Sequence, residues 1–256
     1  MKYQMGKTKY FDENNYQYNP KGEIGIYIIH GFTSTTYEVK ELAKFLGDKG
    51  FHVRADNLPG HGTDIDDCNK IKYREWLNHV ELGIAELSSV SQKIYVIGIS
   101  MGSILGLYIA SMFPISGIVV AAPVIELPKN HIVKYINIWT NYFVSKIPKK
   151  IMFPKEIRHT LDFYGYDQYP LKALNEYRKM LKNFIQTLRL VSCPILMIYS
   201  EKDLTSKYKN IEIIKNNISS KNIQVLRLCH ATHHLFVKNK DQKKIFSEII
   251  LFLNNN

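Results

Sequence analysis

Along the chain, short runs in which nearly every position is apolar alternate with segments in which apolar residues recur every three or four positions. The runs at 24–30, 93–98 and 117–123 predict strands buried on both faces, as in a parallel sheet, with further strands at 51–55, 195–199 and 223–228. Between them Val39, Leu42, Ala43 and Leu46 fall at i, i+3, i+4 and i+7, and Gly50 supplies a stop, which predicts an amphipathic helix. Trp76, Val80, Gly83, Ile84 and Leu87 make a second helical face, and 103–113 is apolar almost all round, as a buried helix should be. Further helices are expected through Leu174, Leu181, Phe184, Ile185 and Leu188, near 211–217, and through Ile245, Ile249 and Leu253. The alternation predicts an α/β fold, a mostly parallel central sheet with helices on both faces.

The pattern breaks at 126–170, which holds four prolines and no buried-strand signal. Residues 1–125 and 171–256 are therefore expected to form the core, and 126–170 a cap or lid insertion. The insertion carries Tyr135, Trp139, Tyr142, Phe143, Phe153, Phe163, Tyr164, Tyr166 and Tyr169. These aromatics either pack the cap onto the sheet or line a pocket for an acyl chain. Lys146, Lys149, Lys150, Lys155 and Arg158 are either its solvated face or a weak contact with an anionic membrane surface.

Composition narrows the class. At 256 residues and 45% hydrophobic, the chain is long enough for one large core without disulfides or metal staples. Cys68, Cys193 and Cys229 share no metal or disulfide spacing, the first 18 residues lack the apolar run of a secretory signal, and no run is long enough to span a membrane. A soluble, cytoplasmic protein is expected. The net charge of +11 is spread along the chain as lysine, which reads as compositional bias, and no nucleic-acid partner is expected.

Gly98-Ile99-Ser100-Met101-Gly102 stands between a predicted strand and a buried helix, the context a nucleophile elbow requires. Glycine two residues either side of the serine lets a strained turn close without side-chain clash. A serine hydroxyl needs a base, and the base a third group, in the chain order serine, acid, histidine. Asp203, just beyond the strand at 195–199, is the expected acid; Glu126 is the fallback and Glu201 lies too close to the strand end. The base is expected from His230, His233 and His234, which lack the companions of a metal site, so neither metal nor cofactor is expected. His234, directly before Leu235-Phe236, is the expected base, with His230 and His233 structural or at the surface. The oxyanion donors are expected to be the N–H groups of Met101, after the nucleophile, and of Phe32, in the loop His30-Gly31-Phe32-Thr33.

His30-Gly31-Phe32-Thr33, Pro59-Gly60-His61-Gly62, the elbow at 98–102, Asp203 and His234 together resemble the α/β-hydrolase superfamily, in its bacterial carboxylesterase and monoacylglycerol lipase branch. The resemblance spans nearly the whole chain. It implies an α/β-hydrolase fold, a Ser, Asp, His triad, no metal or organic cofactor, and hydrolysis of small carboxylic esters of short to medium acyl chain. Monoacylglycerol lipase or lysophospholipase is the alternative, with thioesterase or amide hydrolase sharing the site. A catalytically silent hydrolase fold acting as a binding protein is the alternative of another class. Ser200 replaces the family's usual glycine ahead of the acid, and Leu204-Thr205-Ser206 its usual residues after it. The doubled His233-His234 replaces a single histidine, which leaves the register of the base open by one residue.

Overall fold

The computed structural model describes residues 6–126, 144–158 and 161–256. In chain order the strands are β1 (Tyr16–Tyr18), β2 (Ile24–Ile29), β3 (His52–Ala55), β4 (Lys93–Ile99), β5 (Gly117–Ala121), β6 (Lys146–Pro148), β7 (Gln168–Pro170), β8 (Ile195–Ser200) and β9 (Ile223–Leu228). The helices are α1 (Lys40–Asp48), α2 (Ile65–Cys68), α3 (Tyr73–Ser88), α4 (Met101–Met112), α5 (Leu171–Thr187), α6 (Tyr208–Asn217) and α7 (Gln242–Asn254). Seven strands form one sheet in the order β1-β3-β2-β4-β5-β8-β9, parallel except for β1.

The two-fold period of the strands divides the core into two layers. Tyr27, Ile29, Val96, Ile118 and Val120 point to one face, under α3, α4, α5 and α6. Ile26, Ile28, Tyr95, Ile97, Val119 and Ala121 point to the other, under α1 and α7. With both faces covered, the central strands β2, β4, β5 and β8 carry no polar alternation, which is why they read as apolar runs. From β2 the chain turns toward β3, and from β4 toward β5, so the loops leaving these adjacent strands diverge. That divergence opens a crevice at the carboxyl ends of β2 and β4, where open α/β sheets bind ligands.

β1 falls outside the sequence expectation. It is a three-residue edge strand with Gln17 exposed and Tyr16 and Tyr18 packed on the α1/α7 layer, too short for a period to register. In the insertion, β6 and β7 pair antiparallel through Lys146↔Pro170 and Pro148↔Gln168. These strands are only partly buried, which accounts for the missing buried-strand signal. Tyr135, Trp139, Tyr142 and Phe143 lie outside the described residues. Among the other aromatics, Tyr166 is buried and its hydroxyl donates to Gly60 O at 2.9 Å, while Tyr164 stacks on Tyr10 at 4.6 Å. The Tyr166 N–H donates to Thr33 O at 2.9 Å, and a Cβ on Gly165 would fall 2.4 Å from the same oxygen, so glycine is required where the insertion crosses the loop after β2. Among the described residues no helix is long and apolar enough to cross a membrane.

Candidate active site

Ser100 occupies the turn from β4 into α4 with φ 56° and ψ −117°, a conformation that L-residues adopt only when the surroundings impose it. A Cβ on Gly98 would lie 2.2 Å from Gly102 O, and one on Gly102 2.2 Å from Ile29 O. Both glycines are thus fixed by backbone approaching backbone, one across the elbow and one against β2. The Ser100 N–H donates to Ala121 O at 2.9 Å, and Ser103 Oγ reaches both Gly98 O and Ala121 O at 2.8 Å, which ties the turn to β5.

His233 Nε2 lies 3.1 Å from Ser100 Oγ, and His233 Nδ1 lies 2.7 Å from Asp203 Oδ2. Asp203 is buried, and its Oδ1 accepts the N–H groups of Thr205 at 2.7 Å and Ser206 at 2.9 Å. Ser206 Oγ in turn donates to Pro123 O, anchoring the acid loop to the end of β5, and Ser200 Oγ donates to Ala231 O, joining the acid loop to the base loop. The departures at Ser200 and Ser206 therefore brace the loop. Burial acts to raise the Asp203 pKa, but the neighbouring imidazole and the two N–H donors outweigh it and hold the carboxyl below its usual value. For His233, burial acts to lower the pKa and Asp203 overrides it, so the net shift is upward.

The register of the histidine differs from the sequence expectation by one residue. His234 does not face Ser100; its Nδ1 lies 2.6 Å from Glu38 Oε1. A tight turn, with the Leu235 N–H on His233 O at 3.1 Å, carries Leu235 and Phe236 into the core and swings the His234 ring away from the elbow. The apolar pair marks the right loop but belongs two residues after the histidine that meets the serine. His230 is exposed, and the two other acids lie on surface ion pairs, Glu126 with Lys209 at 2.7 Å and Glu201 with Arg227.

The loop after β2 is held by three acceptors. His30 Nε2 takes the Leu58 N–H at 3.0 Å, His61 Nε2 takes the Thr33 N–H at 3.1 Å, and Glu38 Oε2 takes the Gly31 N–H at 2.8 Å. An imidazole nitrogen accepts only while unprotonated. Burial provides for that: it pushes His30 down to about 4 and His61 well below its ordinary value. His61 is thus the structural purpose of the Pro59-Gly60-His61-Gly62 segment. A Cβ on Gly31 would stand 3.1 Å from Ser100 Cβ, so the loop closes directly on the elbow. Met101 directly follows Ser100 and opens α4, whose first N–H groups have no intrahelical acceptor, while Phe32 follows Gly31 in the loop that closes on the elbow.

Glu38 belongs to no motif, and its contact with His234, 196 positions away, has no local signal in the sequence. Nor has the burial of Lys149, which the exposed-face reading of the insertion did not anticipate. Its Nζ sits 5.3 Å from the Phe163 ring centroid and 5.5 Å from that of Tyr169, and burial lowers its pKa to about 7. Among the described residues no group of three His, Cys, Asp or Glu side chains is placed to hold a metal ion.

Comparison with known proteins agrees with this architecture. The chain is 28% identical over 238 residues to a thermostable monoacylglycerol lipase of Bacillus sp. (strain H-257), covering 92% of each chain. It is 22% identical over 238 residues to a carboxylesterase of Bacillus subtilis (strain 168), covering 91% of this chain and 93% of that protein. In three dimensions it superposes on a structure from work on LipS and LipT, two metagenome-derived lipolytic enzymes, with a TM-score of 0.85 at 20% identity, covering 99% of this chain and 100% of that one. Paleococcus ferrophilus monoacylglycerol lipase shares the fold at a TM-score of 0.75 and 16% identity, over 94% and 97% of the two chains. The family model described as serine aminopeptidase, S33, matches residues 20–241, a span that contains the elbow, the acid loop and both histidines, and the chain belongs to that family of α/β-hydrolases.

Proposed function

We propose that the protein is a serine ester hydrolase that works through an acyl-enzyme on Ser100, with His233 as general base and Asp203 as its orienting carboxylate. The observation that carries this reading is the continuous relay from Ser100 Oγ to His233 Nε2 at 3.1 Å and from His233 Nδ1 to Asp203 Oδ2 at 2.7 Å, set on a strained elbow. Ser100 Oγ attacks the ester carbonyl carbon as its proton passes to His233 Nε2. The Phe32 and Met101 N–H groups receive the oxyanion. Collapse breaks the bond to the alkoxide, which takes the proton from His233 and leaves as the alcohol. Water then attacks the acyl-enzyme with His233 again as base, releasing the acid and restoring the serine. The complete relay argues against a silent binding protein.

Small carboxylic esters of short to medium acyl chain are the leading substrates. Monoacylglycerol is the second reading, favoured by the Bacillus lipase that aligns over nearly the whole chain. We assign residues 126–170 to a cap over the crevice, supported by the contact of Gly165 and Tyr166 with the loop after β2. Any contact with an anionic interface would fall to Lys150 and Lys155, which are exposed. Of the other basic residues, Lys146 pairs with Asp66, Lys149 is buried and Arg158 turns to the carbonyls of Phe153 and Ile151.

Intact mass after exposure to a fluorophosphonate, on the wild type and on Ser100→Ala, tests the reading. One adduct on the wild type and none on the variant is expected, and ester turnover retained by Ser100→Ala would overturn it. A p-nitrophenyl ester series, an anilide analogue and monoacylglycerols below and above their micelle threshold then separate esterase, amidase and lipase.

A further inference from the structure

A second carboxylate and histidine stand directly behind the first pair. Glu38, at the end of the 3-10 turn Thr36–Glu38, is 1% exposed and uses both oxygens: Oε1 lies 2.6 Å from His234 Nδ1, and Oε2 accepts the Gly31 N–H at 2.8 Å. A buried carboxylate is retained at a desolvation cost that an apolar side chain would not incur, so its two partners define what it is for. Each partner is one peptide unit from a group that the proposed mechanism uses. His234 is bonded to His233, the base, and Gly31 to Phe32, the oxyanion donor. No slack remains at the Gly31 end, where a Cβ would meet Glu38 Oε2 and Ser100 Cβ at 3.1 Å each.

Resting on the serine-hydrolase reading above, we propose that Glu38 is a positioning residue whose carboxylate joins the base loop to the oxyanion loop, so that His233 and the Phe32 N–H hold one fixed relation to Ser100. The bridge spans two chain segments that are otherwise carried by different strands, β2 and β9. It also explains the doubled histidine: His234 supplies the link and His233 the chemistry.

The same carboxylate acts on His233 through charge. The groups facing His233 are Asp203 from the loop after β8, Glu38 from the turn after the oxyanion loop, His234 beside it, and Lys149 from the insertion. Around Glu38 stand His30, His234 and Tyr164. Asp203 and Glu38 favour the protonated imidazole, while Lys149 and burial oppose it.

Two variants of the full chain test the proposal, read by the second-order rate of fluorophosphonate labelling per titratable serine and by p-nitrophenyl acetate kinetics across pH. Glu38→Gln is expected to slow labelling and kcat about 10- to 100-fold with KM within about twofold, since misplacement of the reacting groups falls on the transition state. Because one negative charge facing His233 is lost, the acid limb of its kcat/KM profile should move to lower pH. His234→Asn keeps that charge and cuts the link. It should slow labelling about 10-fold or more with the limb at or above its wild-type position. Rates within about twofold of wild type for a folded Glu38→Gln, or a loss matched by fewer titratable sites with the limb unmoved, would overturn the proposal. Should Glu38→Gln not fold, His234→Asn decides by itself, and wild-type labelling there overturns it. A wild type that takes no adduct at Ser100 would instead sink the underlying reading, before any variant at Glu38 is made.

Discussion

The rings of His233 and His234 stand 5.5 Å apart at 72° to one another, so two adjacent imidazoles serve two different carboxylates, Asp203 and Glu38. Their replacements should separate cleanly. His233→Ala removes the proposed base and is expected to lower kcat by about 10⁴-fold or more, as loss of one member of a cooperating triad does. His234→Ala disturbs only placement and should leave kcat at least about a hundredfold higher than His233→Ala. Equal losses in the two variants, measured per folded molecule on p-nitrophenyl esters, would place the base elsewhere.

The pH profile carries the sign of the Asp203 contact. The proposed mechanism requires neutral His233, whose pKa burial acts to lower but the Asp203 carboxylate raises above the ordinary value of 6.5. The acid limb of kcat/KM should therefore lie above 6.5, with activity falling as pH drops through it. In Asp203→Asn the limb should fall below the wild-type value and kcat should drop by about 10⁴-fold. A limb that stays put in this variant would contradict the pairing.

Gly102 offers a test of the elbow that does not touch its chemistry. A methyl group there meets Ile29 O at 2.2 Å, backbone against backbone, and neither β2 nor α4 can yield without disturbing the sheet. Gly102→Ala is expected to destabilise by about 3 kcal/mol or more, at the upper end of overpacking effects. A urea midpoint equal to that of the wild type would contradict the close approach.

Acid should loosen the oxyanion loop before it reaches the core. Folded, His30 stays neutral down to about pH 4 because it is buried; unfolded, it takes a proton near 6.5. The unfolded chain binds more protons between these values, so stability is complete above 6.5 and declines toward 4, by roughly 3 kcal/mol from this residue. His61 adds in the same direction. Denaturant titrations at pH 7 and pH 5 measure the slope, and His30→Asn should flatten it.

What the sequence disclosed followed from local physics. The parallel strands were legible because burial on both faces leaves continuous apolar runs, as at Ile26 to Ile29, and the elbow because the demand on Gly98 is set within five residues and that on Gly102 by the adjacent strand β2, both at fixed spacing from the serine. β1 and the β6/β7 pair escaped because three residues carry no period. The choice between His233 and His234 escaped for a different reason. It is decided by Glu38, almost two hundred positions away, and by the turn at Leu235, neither of which leaves a mark in the histidine run. Lys149 likewise reads as one surface lysine among several until Phe163 and Tyr169 are seen around it.

The hydrogen bond from Tyr166 to Thr33 makes the segment around Tyr166 a reporter of the loop after β2. The Tyr166 amide proton can exchange with solvent only when that bond opens, and Gly165 is packed too closely on Thr33 for the segment to shift without the loop. In hydrogen–deuterium exchange, a phosphonyl group on Ser100 should slow deuterium uptake at Tyr166 by quieting Gly31 to Thr33. Protection would then be recorded at Tyr166 through the Thr33 carbonyl that holds its amide.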